Sequence, residues 1–449
     1  MTTGPFLRAM VGVGAVLAMT MCASCKPTSA GDGQRRTMPL GVDAAPPQGS
    51  FCSLPGSVVW TQQGPRVVSG GDSGAPDLGW LRLPVGFCAH YFATVKNARQ
   101  LKFAPGGDLF AASPTRGTTG GADNGVAGIV VLPDDDHDGS ADSNITFLGS
   151  LAAVQGLMFA NGFLYYQDDT TIRRVAFRLG DRQPSAASET VTDMSVWPQD
   201  VTHWPKVFDM AKDGTIYISN GGSQGDPCES TRAVRGAIVK LNADGSTSVV
   251  AKGFRNPIAI RCESSNDVCL VAELALDYSW GVGREKVVAV RQGDDWGYPC
   301  CATRDTPYDG TTYQDTYKAP DCSGVAAETA SFIIGHTPFG LDFETGQWPS
   351  PWAGRAIVAL HGEFETWAGA RIVAIALDPQ TGLPLPASEQ SEAGVDPANM
   401  LELASGWDDG NNDHGRPAPT AFAPDGRLFI GDDQRGAVIW IAPIGLMPH

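Results

Sequence analysis

Ionisable and polar side chains recur at one place in this chain, directly ahead of apolar, alternating runs. They are Arg99-Gln100, Gln155, His203-Trp204, Arg255-Asn256, His336-Thr337 and Arg416-Pro417. These types suit two kinds of chemistry. Imidazole exchanges a proton near neutral pH, and guanidinium grips carboxylates through paired, permanently charged hydrogen bonds. A second stretch, Asp134 to Asp142, spaces Asp134, Asp136, Asp138 and Asp142 like the oxygen ligands of a calcium loop, with Gly139 at the sharp turn. Ile145 stands where such a loop carries its bidentate Glu. The expected Ca²⁺ site is therefore weak, and an Asp-rich surface turn is the competing reading.

What must position the first set is a repeat. An apolar run, a Gly-centred turn and a second apolar run recur six times. The copies start at Leu101-Lys-Phe-Ala-Pro-Gly-Gly, Gly156-Leu-Met-Phe-Ala-Asn-Gly, Val207-Phe-Asp-Met-Ala-Lys-Asp-Gly, Ile258-Ala-Ile-Arg-Cys, Gly340-Leu-Asp-Phe and Thr420-Ala-Phe-Ala-Pro-Asp-Gly. Most are followed by an outer strand such as Gly236-Ala-Ile-Val-Lys-Leu, Lys286-Val-Val-Ala-Val, Arg371-Ile-Val-Ala-Ile-Ala-Leu or Ala437-Val-Ile-Trp-Ile. Period-2 alternation with Asp-Gly and Asn-Gly turns predicts hairpins. Six such units predict an all-β, six-bladed propeller with four-stranded blades around a central channel. The residues ahead of each inner strand then converge at one mouth of that channel.

Composition is consistent with an exported, turn-rich β-protein. The 449 residues include 54 Gly and 32 Pro, and 42% are hydrophobic, which excludes global disorder. A net charge of -17 argues against nucleic acid and anionic membrane surfaces as partners. Residues 1–24 read as an export signal, with Arg8 ahead of a short apolar run. Cys25 after Cys22-Ala-Ser is similar to a lipoprotein cleavage site; lipid attachment there and simple secretion are the two outcomes. Residues 25–50 read as a flexible tether, 51–80 as a segment packed on the propeller, and 81–443 as the propeller itself. The remaining eight cysteines suggest disulfides Cys52–Cys88, Cys262–Cys269, Cys301–Cys322 and Cys228–Cys300.

Leu81-Arg-Leu-Pro-Val-Gly-Phe, Asn97-Ala-Arg-Gln-Leu, Gly253-Phe-Arg-Asn-Pro, Trp296-Gly-Tyr-Pro-Cys-Cys, Gly335-His-Thr-Pro-Phe-Gly, His361-Gly-Glu and Gly415-Arg-Pro stand in the order and spacing of a known family. The chain resembles the glucose/sorbosone dehydrogenases, six-bladed propellers that use pyrroloquinoline quinone (PQQ), and looks closest to the sorbosone and pyranose branch. The resemblance implies His203 as general base and Gln100, Arg255, Asn256 and Arg416 as PQQ contacts. It implies that the backbone carbonyls of Ala275 and Leu276 hold a catalytic Ca²⁺. Its implied partners are a small sugar-like substrate and an electron acceptor of unknown identity, with the membrane reached only through a lipid on Cys25. The chain departs from the family at Glu363 and Glu365, which are acidic where relatives carry Lys or Arg. The competing function is a non-catalytic exported propeller that binds glycan or protein. A propeller lactonase would need a cage of side-chain carboxylates, whereas the mouth residues are Gln, His and Arg.

Overall fold

The structure, a computed structural model, describes residues 45–116, 125–222, 228, 236–276, 282–308, 320–364, 366–390, 394–410 and 414–448. The export signal, Cys25 and most of the tether lie outside the described residues, as do Asp277 and Glu365. Six four-stranded antiparallel units are arranged in chain order. Their inner strands are Gln100–Phe103, Leu157–Ala160, Phe208–Met210, Asn256–Cys262, Pro338–Phe343 and Pro417–Phe422. This is the predicted six-bladed propeller.

The turns explain how each hairpin closes. In blade two, Asn161 and Gly162 both take positive φ, at 52° and 77°. This left-handed pair matches the twist of the flanking strands Leu157–Ala160 and Phe163–Asp168. Alternation then splits each strand between two neighbours. Phe110, Ile129 and Val131 of blade one pack with Leu157, Leu164 and Val175 of blade two, all fully buried. Burying such a side chain contributes about 1.5–3 kcal/mol, so every blade interface is a core of its own.

The runs Gly236 onward, Lys286 onward, Arg371 onward and Ala437 onward are third strands rather than outermost ones. The outermost strand of blade six comes from the other end of the chain. Phe87–Thr94 pairs with Ala437–Pro443, matching His90 to Trp440 and Phe87 to Pro443. Val58–Thr61 and Gly64–Val67 extend the same sheet. The ring is therefore closed by hydrogen bonds between segments some 350 residues apart. All four expected disulfides are present: Cys52–Cys88, Cys228–Cys300, Cys262–Cys269 and Cys301–Cys322.

Candidate functional site

In an antiparallel blade, the start of the inner strand and the end of the second strand lie side by side at the same mouth. A side chain at the second position takes backbone N–H groups at the first. Gln167 Oε1 accepts the N–H of Gln155 at 3.1 Å and of Lys206 at 3.0 Å. Glu273 Oε1 accepts Arg255 N–H at 2.6 Å, and Asp432 Oδ1 accepts Arg416 N–H at 3.0 Å. Ahead of blade five, Glu285, which starts the third strand of blade four at the same mouth, takes Gly335 N–H and Thr337 N–H. Backbone donors here cannot continue the ladder, so these acceptors hold the loops that carry the functional side chains.

Two groups of side chains form at this mouth. In the first, Arg99 Nη1 donates to Asp433 Oδ2 at 2.7 Å, and His361 Nε2 donates to Asp433 Oδ1 at 2.8 Å. Arg99 also lies over the Phe339 ring, 4.4 Å from its centre. Burial and the Arg416 charge push His361 down to about 4, so it is a neutral donor at pH 7. Burial works against the Asp433 carboxylate, but the His361 bond and the Arg99 and Arg416 charges outweigh it and hold it below the usual range. Arg416 donates Nε–H to His361 O at 2.9 Å and Nη2–H to Gly362 O at 2.5 Å. Burial lowers its guanidinium to about 10, so it remains charged.

The second group centres on His203. Its Nδ1 bonds Gly222 O, and its backbone N–H donates to Asp200 at 2.9 Å. Gly222 N–H in turn donates to Arg255 O at 2.7 Å. The chain is forced close here, because a Cβ on Gly221 would sit 2.5 Å from His203 Cβ. A carbonyl oxygen can only accept, so Nδ1 carries the proton and Nε2 is the basic nitrogen. Arg255 Nη1 donates to Ala275 O at 2.8 Å. Gln155 joins the two groups across the channel, accepting from Arg99 Nε at 3.3 Å and donating to Ile258 O at 3.3 Å.

The expected mouth residues thus fall into two groups, Arg99 with Arg416 and His203 with Arg255, and His336 joins neither. His336 turns toward the rim of its own blade, where Nδ1 pairs with Glu389 at 2.6 Å beside Arg371. Gln100 and Asn256 open their inner strands and are half-buried. Glu363 closes its own turn by accepting Thr366 Oγ1–H at 2.7 Å. The Asp-rich turn follows the third strand of blade one, and so lies at the opposite end of the propeller from the mouth. Carboxylate oxygens of Asp134, Asp136 and Asp138 lie within 4.8 Å of one another. Asp142 Oδ2 instead accepts Asp135 N–H at 2.6 Å. The turn is also held against blade six, where Trp440 Nε1 donates to Gly139 O at 2.8 Å.

Some residues at this mouth were not visible as site residues in the sequence. Lys206 is 1% exposed, and its Nζ donates to Trp204 O at 3.1 Å. Burial and the Arg116 charge push it down to about 8. Burial also pushes Glu273 and Asp432 up to about 7. The buried cations Arg99, Lys206, Arg255 and Arg416 at the mouth face the ionised Asp433, with Asp169 and Asp200 beside Lys206. Trp204 Nε1 is a buried donor with no hydrogen-bond acceptor. Further along the channel, Arg261 bridges Asp209 at 3.1 Å and Asp342 at 2.6 Å, tying blades three, four and five together.

Residues 77–273 match a family model described as a domain of unknown function, DUF7133. No curated protein sequence matches the chain. Among solved structures, a Trichoderma reesei protein of Carbohydrate-Active Enzymes Family AA12 superposes with a TM-score of 0.64 at 16% identity, covering 84% of this chain and 100% of its own. The PQQ domain of a Coprinopsis cinerea pyranose dehydrogenase, in its holo form, gives 0.62 at 16%, covering 82% and 98%. A PQQ-bound aldose sugar dehydrogenase from Streptomyces coelicolor gives 0.52 at 15%, covering 80% and 100%. The fold is thus the six-bladed propeller found in PQQ-dependent sugar dehydrogenases.

Proposed function

We propose that this protein is an exported, PQQ-dependent dehydrogenase of a sugar or sugar aldehyde. The observation that carries the proposal is the His203–Gly222–Arg255 chain of hydrogen bonds, which fixes the imidazole tautomer and ties His203 to the backbone of the buried Arg255 at the mouth. Arg416 supports it from the other side: its hydrogen bonds go to carbonyls, and its charge, shared with Asp433, adds to the positive field of the mouth. The cation excess of the mouth, inside a chain of net charge -17, fits a planar tricarboxylate. The unsatisfied Trp204 N–H is a further donor for such a ligand.

When bound, PQQ supplies an ortho-quinone that accepts hydride. His203 Nε2 takes the proton from the substrate hydroxyl as its carbon is oxidised. Arg255, Asn256, Arg416 and Gln100 hold the anionic cofactor. The fit for Ca²⁺ at Ala275 and Leu276 is poorer, since Ala275 O already accepts a hydrogen bond from Arg255. A cation on the remaining lone pair would sit beside the positive charge of that guanidinium. Four disulfides support an oxidising compartment, so the periplasm, the outer membrane or the medium is the proposed location.

The test is reconstitution of purified protein with PQQ and Ca²⁺, followed by cofactor absorbance and by turnover on a panel of aldoses. The expected result is a bound chromophore, with His203→Ala retaining PQQ and losing turnover. Absence of PQQ binding at micromolar concentration with excess Ca²⁺ would end the proposal and leave a cofactor-free binding propeller.

A further inference from the structure

A cavity of about 410 Å³ opens on the mouth end of the propeller, outside the channel. It lies where the second strand of blade six ends, at Asp432, and where the third begins, at Ala437. Its roof is the segment that precedes the propeller. Asp77 and Trp80 come from that segment, and Trp407 and His414 come from the connection between blades five and six. Tyr91, on the closing strand, completes the wall.

The cavity is preformed. Trp80 stacks on His414 with ring centres 4.1 Å apart and planes 2° apart, and Trp407 meets Trp80 edge-on at 5.4 Å. Asp409 holds His414 from the other side at 3.1 Å. Arg82 and Ser405 exchange backbone hydrogen bonds at 2.8 and 3.1 Å, fastening the roof to the connection. Gly406 lets the two backbones meet: with φ of 117°, any Cβ there would lie 2.6 Å from Trp80 O. The volume is that of a small-molecule site, with broad ring surface and a few polar groups.

We propose that this cavity binds one unit of a neutral sugar chain whose end unit lies at the channel mouth. A pyranose ring offers an apolar C–H face and a rim of hydroxyl groups. Trp80 and Tyr91, both part-exposed, match the face, with the buried Trp407 backing Trp80, and the Asp77 carboxylate accepts from the hydroxyls. Asp77 and Asp432 on the wall are offset by Arg435, so its mixed charge does not call for an anionic sugar. Asp432 links cavity and mouth, since it lines the cavity while its Oδ1 holds Arg416 N–H. A single sugar cannot occupy both places, so the substrate class is an oligosaccharide rather than a free monosaccharide. The substrate assignment rests on the dehydrogenase reading; the binding site does not.

The experiment is calorimetric titration of full-length protein, without PQQ, using neutral tetrasaccharides of glucose, of xylose and of N-acetylglucosamine, and each parent monosaccharide. At least one tetrasaccharide should bind about tenfold or more tightly than its monosaccharide. Trp80→Ala should remove that advantage. Asp77→Asn, which keeps the side-chain acceptor for Gly79 N–H but removes the charge, should reduce it severalfold. The proposal is overturned if no tetrasaccharide outbinds its monosaccharide, or if both variants bind it like wild type. Tetrasaccharide binding in a protein that takes up no PQQ would uphold the cavity and sink the dehydrogenase reading, so the two fail separately.

Discussion

Lys206→Met should make the protein more stable at neutral pH. The Lys206 amine is 1% exposed, and its hydrogen bond goes to Trp204 O. Burial, helped by the Arg116 charge, lowers its pKa from 10.5 to about 8 against the weaker pull of Asp169 and Asp200. One pKa unit is worth about 1.4 kcal/mol, so holding the charged amine costs the fold about 3 kcal/mol at pH 7. Methionine keeps the volume and forfeits a hydrogen bond worth about 1 kcal/mol. The net gain at pH 7 is then about 2 kcal/mol. Between pH 8 and 10.5 the unfolded chain binds more protons at this site than the native one. Wild-type stability attributable to Lys206 therefore rises with pH across that window. Above it the penalty is gone and the lost hydrogen bond makes the variant the weaker protein by about 1 kcal/mol. Urea unfolding with disulfides intact, at pH 7 and at pH 10.5, measures both arms. A variant less stable at pH 7, or a difference equal at the two pH values, would refute the reasoning.

Asp433→Asn removes the carboxylate that faces buried Arg99, and should cost about 3–5 kcal/mol in urea unfolding; a cost below about 1 kcal/mol would show that Arg99 is neutralised elsewhere. Arg416→Ala should weaken PQQ binding about ten- to a hundredfold by absorbance titration, the worth of one charge-assisted bond, and unchanged affinity would remove Arg416 from the site. Replacing Cys52 and Cys88 together by Ala opens a link spanning 36 residues. That should lower stability by about 2–4 kcal/mol, and an unchanged melting temperature would show that strand pairing alone secures the closing blade.

Inner strands were legible because each repeats a local pattern: apolar alternation, a turn with Gly, alternation again. The closing strand Phe87–Thr94 was not, because nothing local marks it as the partner of Ala437–Pro443. It precedes the first repeat, and only ring closure gives it a place. The disulfides were within reach because Cys262–Cys269 reads as a hairpin staple and Cys301–Cys322 as a loop closure, with Cys52–Cys88 pinning the N-terminal segment and Cys228–Cys300 left over. At the site, residues ahead of the inner strands could be placed from topology. Which way each side chain turns could not. His336 occupies the same position in its blade as Arg255 and Arg416 in theirs, yet Glu389, over 50 residues away, draws it to the rim.

Gln167, Glu273, Asp432 and Asp433 were missed for a different reason. They end second strands, and a sequence repeat shows such positions only as polar interruptions. In space Gln167, Glu273 and Asp432 lie against the start of an inner strand, where backbone N–H groups have no ladder partner, while Asp433 takes side-chain donors from Arg99 and His361. An acceptor is needed there whatever the protein does, so these residues are structural first. Burying an acidic acceptor beside an arginine also fixes that arginine's backbone, and with it the direction of its guanidinium. The side chains that make the loops affordable to fold therefore also aim the cations. Arg416 shows both halves: Asp432 holds its backbone, while the His361 and Gly362 carbonyls hold its head group. Arg416 and Arg99 together put two buried positive charges beside the one Asp433 carboxylate, an excess that costs the fold desolvation. An anionic ligand would turn that cost into binding energy.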